Sequence, residues 1–174
     1  MQQSTCYSIL EVVRQRLQQV AFEPVGKDSI PRIKPENIQI WKDELSPDAS
    51  EKNLTHILTP GIVITPPKQI TRSPMAGTNG LDDVVYPVLA QLIAGDGGDR
   101  VANLQTYLRW EEQIADAFHA QSVPEVDKRI ADVFACFATT TAVVDLKYWI
   151  KHSKFVSGVA LVFSARRNAR GVNT

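Results

Sequence analysis

The sequence is poor in the residues on which most catalytic and metal sites depend. It has only two cysteines and three histidines among 174 residues. Cys6 and Cys136 lie in different predicted elements, so they form no disulfide framework or zinc spacing, and both are expected to be small buried hydrophobes. No apolar run reaches the roughly 18 residues that cross a membrane, and the N-terminus lacks the basic start and apolar run of a signal peptide. We therefore expect a soluble protein made in the cytosol.

Known catalytic motifs are also missing. His56, His119 and His152 are scattered, without the spacing that places two histidines on one helix face as metal ligands. The sequence holds no Gly-x-Ser-x-Gly, no Gly-x-Gly-x-x-Gly and no Walker motif. Asp82 and Asp83 are adjacent, so their side chains point to opposite faces of an extended strand. We predict no catalytic, cofactor-binding or metal-binding residues, and we expect that the protein is not an enzyme.

The charges balance overall but are segregated along the chain. The 19 basic and 19 acidic residues argue against a surface that binds nucleic acid or anionic membrane throughout. Residues 82–145 hold eleven acidic and four basic residues, whereas residues 146–174 hold six basic residues and no acidic one. Two interpretations remain open: both regions are solvated faces of one monomer, or an acidic face of one subunit meets a basic face of the next in head-to-tail association.

The first predicted element is a helix at residues 4–21. Its apolar residues recur at steps of three and four and form one stripe, at Cys6, Leu10, Val13, Leu17 and Val20. Ser8 and Glu11 have the spacing of a capping box, which leaves open a start one turn later. The chain length and the 44% hydrophobic composition predict one domain over residues 1–174 with a single core.

Five segments have the composition of β-strands: residues 37–42, 61–65, 84–94, 129–145 and 155–164. Residues 84–94 are apolar on both faces, as in a covered sheet, although Pro87 places part of this strand at an edge or a bulge. Residues 66–83 hold three prolines, and we expect an extended loop or loose hairpin that contacts another molecule, or alternatively a tolerated surface insertion. The polar end, at about residues 165–174, is expected to be a flexible tail.

A second amphipathic helix is predicted at about residues 99–119, with Asp96 or Asp99 as its cap. Glu111 falls within the apolar arc of this helix. A carboxylate there is costly unless it reaches the rim, pairs with an arginine of its own chain, or pairs with one from a neighbouring subunit. All three explanations remain open.

Together these elements predict an α+β fold. The sheet is mostly antiparallel, has about five strands and is flanked by the N-terminal helix and the second amphipathic helix, with long loops. Segment 147–154, KYWIKHSK, is basic and aromatic. The same mixture occurs where proteins stack on single-stranded nucleic acid, but eight residues without a known module are poor evidence for such a site.

Four segments, in this order, resemble the tail terminator, or tail completion, family of bacteriophage proteins. They are PGIVITPP at 60–67, GTNGLDDVVYPVLAQLIAG at 77–95, NLQTYLRWEEQIADAF at 103–118 and VSGVALVFSARRNARG at 156–171. The resemblance implies an α+β fold assembled as a hexameric ring on the head-proximal end of the tail tube.

Such a ring stops tube polymerisation and offers a docking surface to the neck of the head, by binding alone and without a cofactor. The implied partners are further copies of the chain, the tail tube protein and a neck protein. DNA passes through the lumen without sequence-specific contacts, and no membrane is involved. The implied location is the tail-neck junction of the virion, assembled in the cytoplasm of the bacterial host.

Two other functions stay open. The nearer one is another protein of the head-to-tail junction, such as a stopper or connector, which shares ring assembly but occupies a different position. The farther one is a small cytosolic nucleic-acid-binding domain that uses the basic segment after Leu146.

Overall fold

The computed structural model describes residues 4–26, 30–42, 59–74, 81–95, 103–128, 131–142, 145, 147 and 151–168. The described part contains two α-helices and six strands, so it has the predicted α+β class with one strand more than expected. A short 3₁₀ turn, Pro35–Asn37, precedes the first strand. In chain order the elements are α1 (Thr5–Gln19), β1 (Ile38–Ile40), β2 (Gly61–Thr65), β3 (Thr71–Pro74), β4 (Leu81–Gly95), α2 (Leu104–Asp116), β5 (Asp132–Ala142) and β6 (Lys154–Asn168).

The strands form one mixed sheet in the order β1-β2-β4-β6-β5, and β3 pairs with β4 on the same side as β2. β1 and β2 are parallel, whereas the other pairs are antiparallel. The longest ladder joins β4 and β6, from Leu81 opposite Asn168 to Gly95 opposite Lys154. The acidic and the basic part of the sequence therefore lie side by side within one chain.

Both helices pack on one face of the sheet, which we call the covered face. α1 contacts β1 and β2, whereas α2 contacts β4, β5 and β6. Alternate residues of the two long strands are buried in this layer, among them Val84, Tyr86, Val88, Ala90 and Leu92 of β4 and Phe155, Val159, Leu161 and Phe163 of β6. Burial of one large apolar side chain contributes about 1.5–3 kcal/mol, so this layer supplies most of the favourable free energy of folding.

The structure corrects the predicted start of α2 and decides between the two starts left open for α1. α2 begins at Leu104, and the preceding Asn103 adopts a left-handed backbone with φ 60° and ψ 9°. The prediction of Asp96 or Asp99 as its cap is therefore wrong, and those two residues lie outside the described part of the chain. α1 begins directly after Ser4, and the Ser8 hydroxyl donates to the Ser4 carbonyl oxygen at 3.2 Å, so the later start is wrong as well.

The strands are confirmed, with corrected ends. β2 has the predicted bounds, and the predicted stripe of α1 is buried at Leu10, Val13 and Leu17. β6 continues to Asn168 because it pairs with the whole of β4. Residues 165–168 of the predicted flexible tail therefore belong to the sheet, and residues 169–174 lie outside the described part.

The predicted loop at residues 66–83 contains β3 and the first residues of β4. Thr71 of β3 pairs with Val85 of β4 in an antiparallel hairpin, so the hairpin is confirmed and the expected lack of regular structure is wrong. Pro87 lies between the β4 residues that pair with β2 and those that pair with β3. Proline has no N–H to donate to a neighbouring strand. Neither β2 nor β3 pairs with β4 at Pro87, so no hydrogen bond to them is lost there. This confirms the prediction that the part of the strand around Pro87 lies at an edge.

Candidate interaction surface

The sheet face opposite the helices, which we call the second face, presents apolar side chains in its middle. Pro87 of β4 stands opposite Val162 of β6, which stands opposite Phe137 of β5. In the next row Leu89 stands opposite Ala160. Phe137 is exposed and the other four residues are half-buried. A contiguous apolar patch on the surface of a single chain is typical of an interaction site.

The second face is closed at its other end. Val63, Ile93 and Val156 form a small buried cluster there, with Trp41 packed against it. The Trp41 backbone N–H donates to the Ile64 carbonyl oxygen at 2.8 Å and thereby extends the strand pairing beyond β1. The open part of this face is thus limited to the middle of β4, β6 and β5.

Two exposed phenylalanines of β5 mark the margin of this patch. Phe134 is 47% exposed and Phe137 is 54% exposed. The ladder with β6 shifts between Val133 and Ala135, so Phe134 is the additional residue of a bulge, as occurs at sheet edges. The guanidinium carbon of Arg166 lies 5.7 Å from the centre of the Phe134 ring. We call Asp132, Phe134 and Phe137 the aromatic margin.

The backbone edge beside the aromatic margin is partly occupied within the chain. The Ala120 N–H donates to the Cys136 carbonyl oxygen at 2.9 Å, and the Val123 N–H donates to the Val133 carbonyl oxygen at 3.2 Å. Farther along, the Ala138 N–H donates to Nδ1 of His119 at 3.4 Å. An approaching molecule therefore meets side chains along this stretch rather than a free strand edge.

A groove opens at the opposite margin of the same sheet. It has a volume of about 430 Å³ and lies beside the segment that connects β2 to β3. Its apolar wall includes Pro66, Pro67, Pro87 and Leu89, and its rim includes Lys42 and Lys68. Both lysines are exposed. We call these six residues the groove margin.

Glu111 is the most unusual polar residue of the described chain. It lies on α2 and is only 6% exposed, and its Oε2 atom has no hydrogen-bond partner. The prediction that it reaches the rim is therefore wrong. None of the ion pairs among the described residues includes Glu111, so pairing with an arginine of its own chain is not seen in the described part, and both predicted pairings stay predictions.

Acidic and basic residues from the two segregated parts of the sequence, for which contact between subunits was one of two open interpretations, meet within the sheet at one place. Asp83 stands opposite Arg166, and their side chains form an ion pair of 3.1 Å. Asp82 stands opposite Arg167, so the two aspartates point to opposite faces as predicted. Part of the charge segregation along the sequence is thus satisfied inside one chain.

The remaining sequence candidates do not come together. His56 lies outside the described residues, as do residues 148–150 of segment 147–154. His119 follows α2 and His152 precedes β6, and the described residues contain no group of three or more side chains suited to hold a metal ion. Cys136 is fully buried as predicted, whereas Cys6 is only half-buried. Burial raises the pKa of the Cys136 thiol to about 12, so this group is unreactive at neutral pH.

The comparison with known proteins gives no family. The chain matches no protein-family model, and no curated protein matches it. Among the described residues, no helix combines the length and the apolar character that a membrane crossing requires.

Sequence reasoning missed both margins. The spacing of Phe134 and Phe137 was the available signal, because residues three apart in a regular strand point to opposite faces. Two phenylalanines at that spacing in a strand indicate either one buried ring or a bulge. The groove depends on the pairing of β2 and β3 with the same strand, for which the sequence carries no local signal.

Proposed function

We propose that this chain is a structural protein of a bacteriophage virion that forms a ring at the head-proximal end of the tail tube. The ring stops polymerisation of the tube and provides the surface on which the neck docks. It acts by binding alone, and DNA passes through its lumen without sequence-specific contacts. Assembly takes place in the cytoplasm of the bacterial host.

The observation that carries this proposal is the exposed apolar surface on the second face. Phe134 and Phe137 each expose about half of their surface, although phenylalanine contributes more to stability when it is covered. Aromatic residues are enriched in protein interfaces, so this surface is suited to contact another protein. Together with the resemblance of the four sequence segments to tail terminators, it favours a protein of assembly over an enzyme.

The first test uses purified tube protein. Addition of the chain to polymerising tubes should cap their ends and shorten them, with one ring seen by electron microscopy at one end. A variant that carries Phe137→Lys should cap less well, because a charge replaces the exposed ring. The matched control is Tyr7→Lys, which adds the same charge at a similarly exposed aromatic residue on α1, 48% exposed. Tubes whose length does not respond to the wild-type chain would contradict the proposal.

A second test separates this function from the nearer alternative, a stopper or connector of the neck. Lysates of a phage that lacks the gene should contain tails of uncontrolled length beside filled heads. Tails of normal length beside heads that leak DNA would identify a stopper instead. Assembly of both heads and tails into infectious particles would contradict both functions.

A further inference from the structure

We propose that the two margins of the sheet bind each other between copies of this chain, so that the aromatic margin of one copy docks in the groove margin of the next. This inference rests on the proposed ring and adds the surfaces by which its subunits contact one another. The partner is a second copy of the chain, and the contact is made by side chains.

The two margins are complementary in shape and in polarity. The aromatic margin projects two phenylalanine rings from β5, whereas the groove margin is a cavity of about 430 Å³ with prolines and a leucine in its wall. An aromatic anchor that enters an apolar pocket is the usual centre of a protein interface. Leu89 and Pro87 are half-buried in the single chain, so their apolar surface is available to a ring from outside.

The margins are also complementary in charge. Asp132 is exposed beside Phe134, and the rim of the groove carries Lys42 and Lys68. Opposite charges at the rim of an interface orient the partners and speed their association. Asp132 stands opposite Arg166, whose guanidinium forms its ion pair with Asp83, and Asp132 is the exposed acidic residue of the aromatic margin.

The positions of the margins explain why the partner is a second copy. β5 is one outer strand of the sheet, and the groove lies on the far side of β6, where Pro87 and Leu89 of β4 form part of its wall. Phe137 of one chain does not enter its own groove, because β6 lies between β5 and the groove wall on β4. Two different surfaces that bind each other give a head-to-tail contact, which closes into a ring when the rotation between subunits allows it.

The test uses two full-length variants that each block one margin. Phe137→Lys places a cation at the aromatic margin, and Pro67→Lys places one in the groove margin. Each variant alone should lose ring assembly, with the subunit dissociation constant raised about tenfold or more. In a mixture of both, the aromatic margin of the Pro67→Lys variant and the groove margin of the Phe137→Lys variant are intact. These two margins can bind each other once, so the mixture should form a one-to-one dimer and nothing larger.

Native mass spectrometry measures these states, and circular dichroism checks that each variant is folded. Tyr7→Lys is the control and should assemble as the wild type does. If both variants still form rings like those of the wild type, the assignment of the margins is wrong and the proposed ring stands. The same holds if both variants dissociate but give no dimer on mixing. A folded wild-type chain that stays monomeric at high concentration would contradict the ring and this inference together.

Discussion

The guanidinium of Arg16 holds both carboxylate oxygens of Glu125, with Nε–Oε1 and Nη2–Oε2 distances of 2.6 Å. Arg16 lies near the end of α1, and Glu125 lies between α2 and β5. The Arg16 guanidinium carbon is also 5.6 Å from the centre of the Phe118 ring. This two-bond pair therefore ties the N-terminal helix to the segment that leads into the aromatic margin.

Replacement of Glu125 by glutamine should lower the free energy of unfolding by less than about 1 kcal/mol at neutral pH. The value is small because the Glu125 side chain is 42% exposed and solvent screens the pair. Chemical denaturation of both proteins measures the difference. Glu36→Gln, at an exposed position that forms none of the ion pairs of the described residues, is the control and should not change stability.

The difference between wild type and Glu125→Gln should also depend on pH. The hydrogen bonds from Arg16 hold the pKa of the Glu125 carboxyl below its ordinary value of 4.5. A pKa that is lower in the folded state stabilises the fold above the unfolded pKa, and this contribution is lost as the pH falls through the folded value. The two stability curves should therefore converge in acid; curves that stay parallel would contradict a role for this pair.

Replacement of Glu111 by glutamine should raise the free energy of unfolding by about 1 kcal/mol, because a buried carboxylate with an unpartnered oxygen costs more than a neutral amide. The neighbouring Glu112 is exposed, so Glu112→Gln is a matched control on the same helix and should be neutral. Thermal denaturation at low protein concentration measures the effect on the single chain.

Ring assembly of the Glu111→Gln variant should match the wild type, because neither margin includes this residue. A loss of assembly without a loss of chain stability would show that an arginine of the neighbouring subunit reaches Glu111. That outcome would contradict our prediction and would support the pairing that the sequence left open.

The two thiols should react at very different rates with iodoacetamide. Burial raises the pKa of both Cys6 and Cys136, that of Cys136 to about 12. At about pH 8 the Cys136 thiol is then ionised in about one folded molecule in 10⁴. We expect one slow alkylation, at half-buried Cys6, and a second only after unfolding. Mass spectrometry counts the labels, and a Cys6→Ser variant that still gains a label while folded would contradict the buried position of Cys136.

Local sequence patterns predicted the elements better than their arrangement. The apolar run GIVIT gave the bounds of β2, and the alternation of Phe155, Val159 and Leu161 gave the buried side of β6, because both depend on neighbouring residues only. β3 was missed because its sequence, TRSP, has no apolar alternation, and its pairing with β4 defines it as a strand. Asn103 precedes α2 in a left-handed conformation, which is accessible to asparagine but is not encoded by a motif.

The candidate surface could be predicted only in part for the same reason. The charge segregation was visible in the sequence, but its interpretation required the register of β4 and β6, which brings Asp83 to Arg166. The sequence also drew attention to Glu111, although its burial depends on how α2 packs against the sheet. The two margins arise from strands that are far apart in the chain, so no local pattern contains them.

Salt should weaken association through the charged rims of the margins. Raising the NaCl concentration from about 0.1 M to about 1 M shortens the screening length from about 10 Å to about 3 Å, which reduces the attraction of Asp132 to the lysines of the next copy. The apolar contact of Phe137 is not reduced in this way, so assembly should weaken without being abolished. Sedimentation velocity across the salt series measures the effect.

Asp132→Asn should assemble more weakly at low salt and respond less to added salt, because one of the screened charges is missing. A salt response equal to that of the wild type would show that Asp132 does not face a cation in the assembly, and the orientation of the two margins would then be wrong.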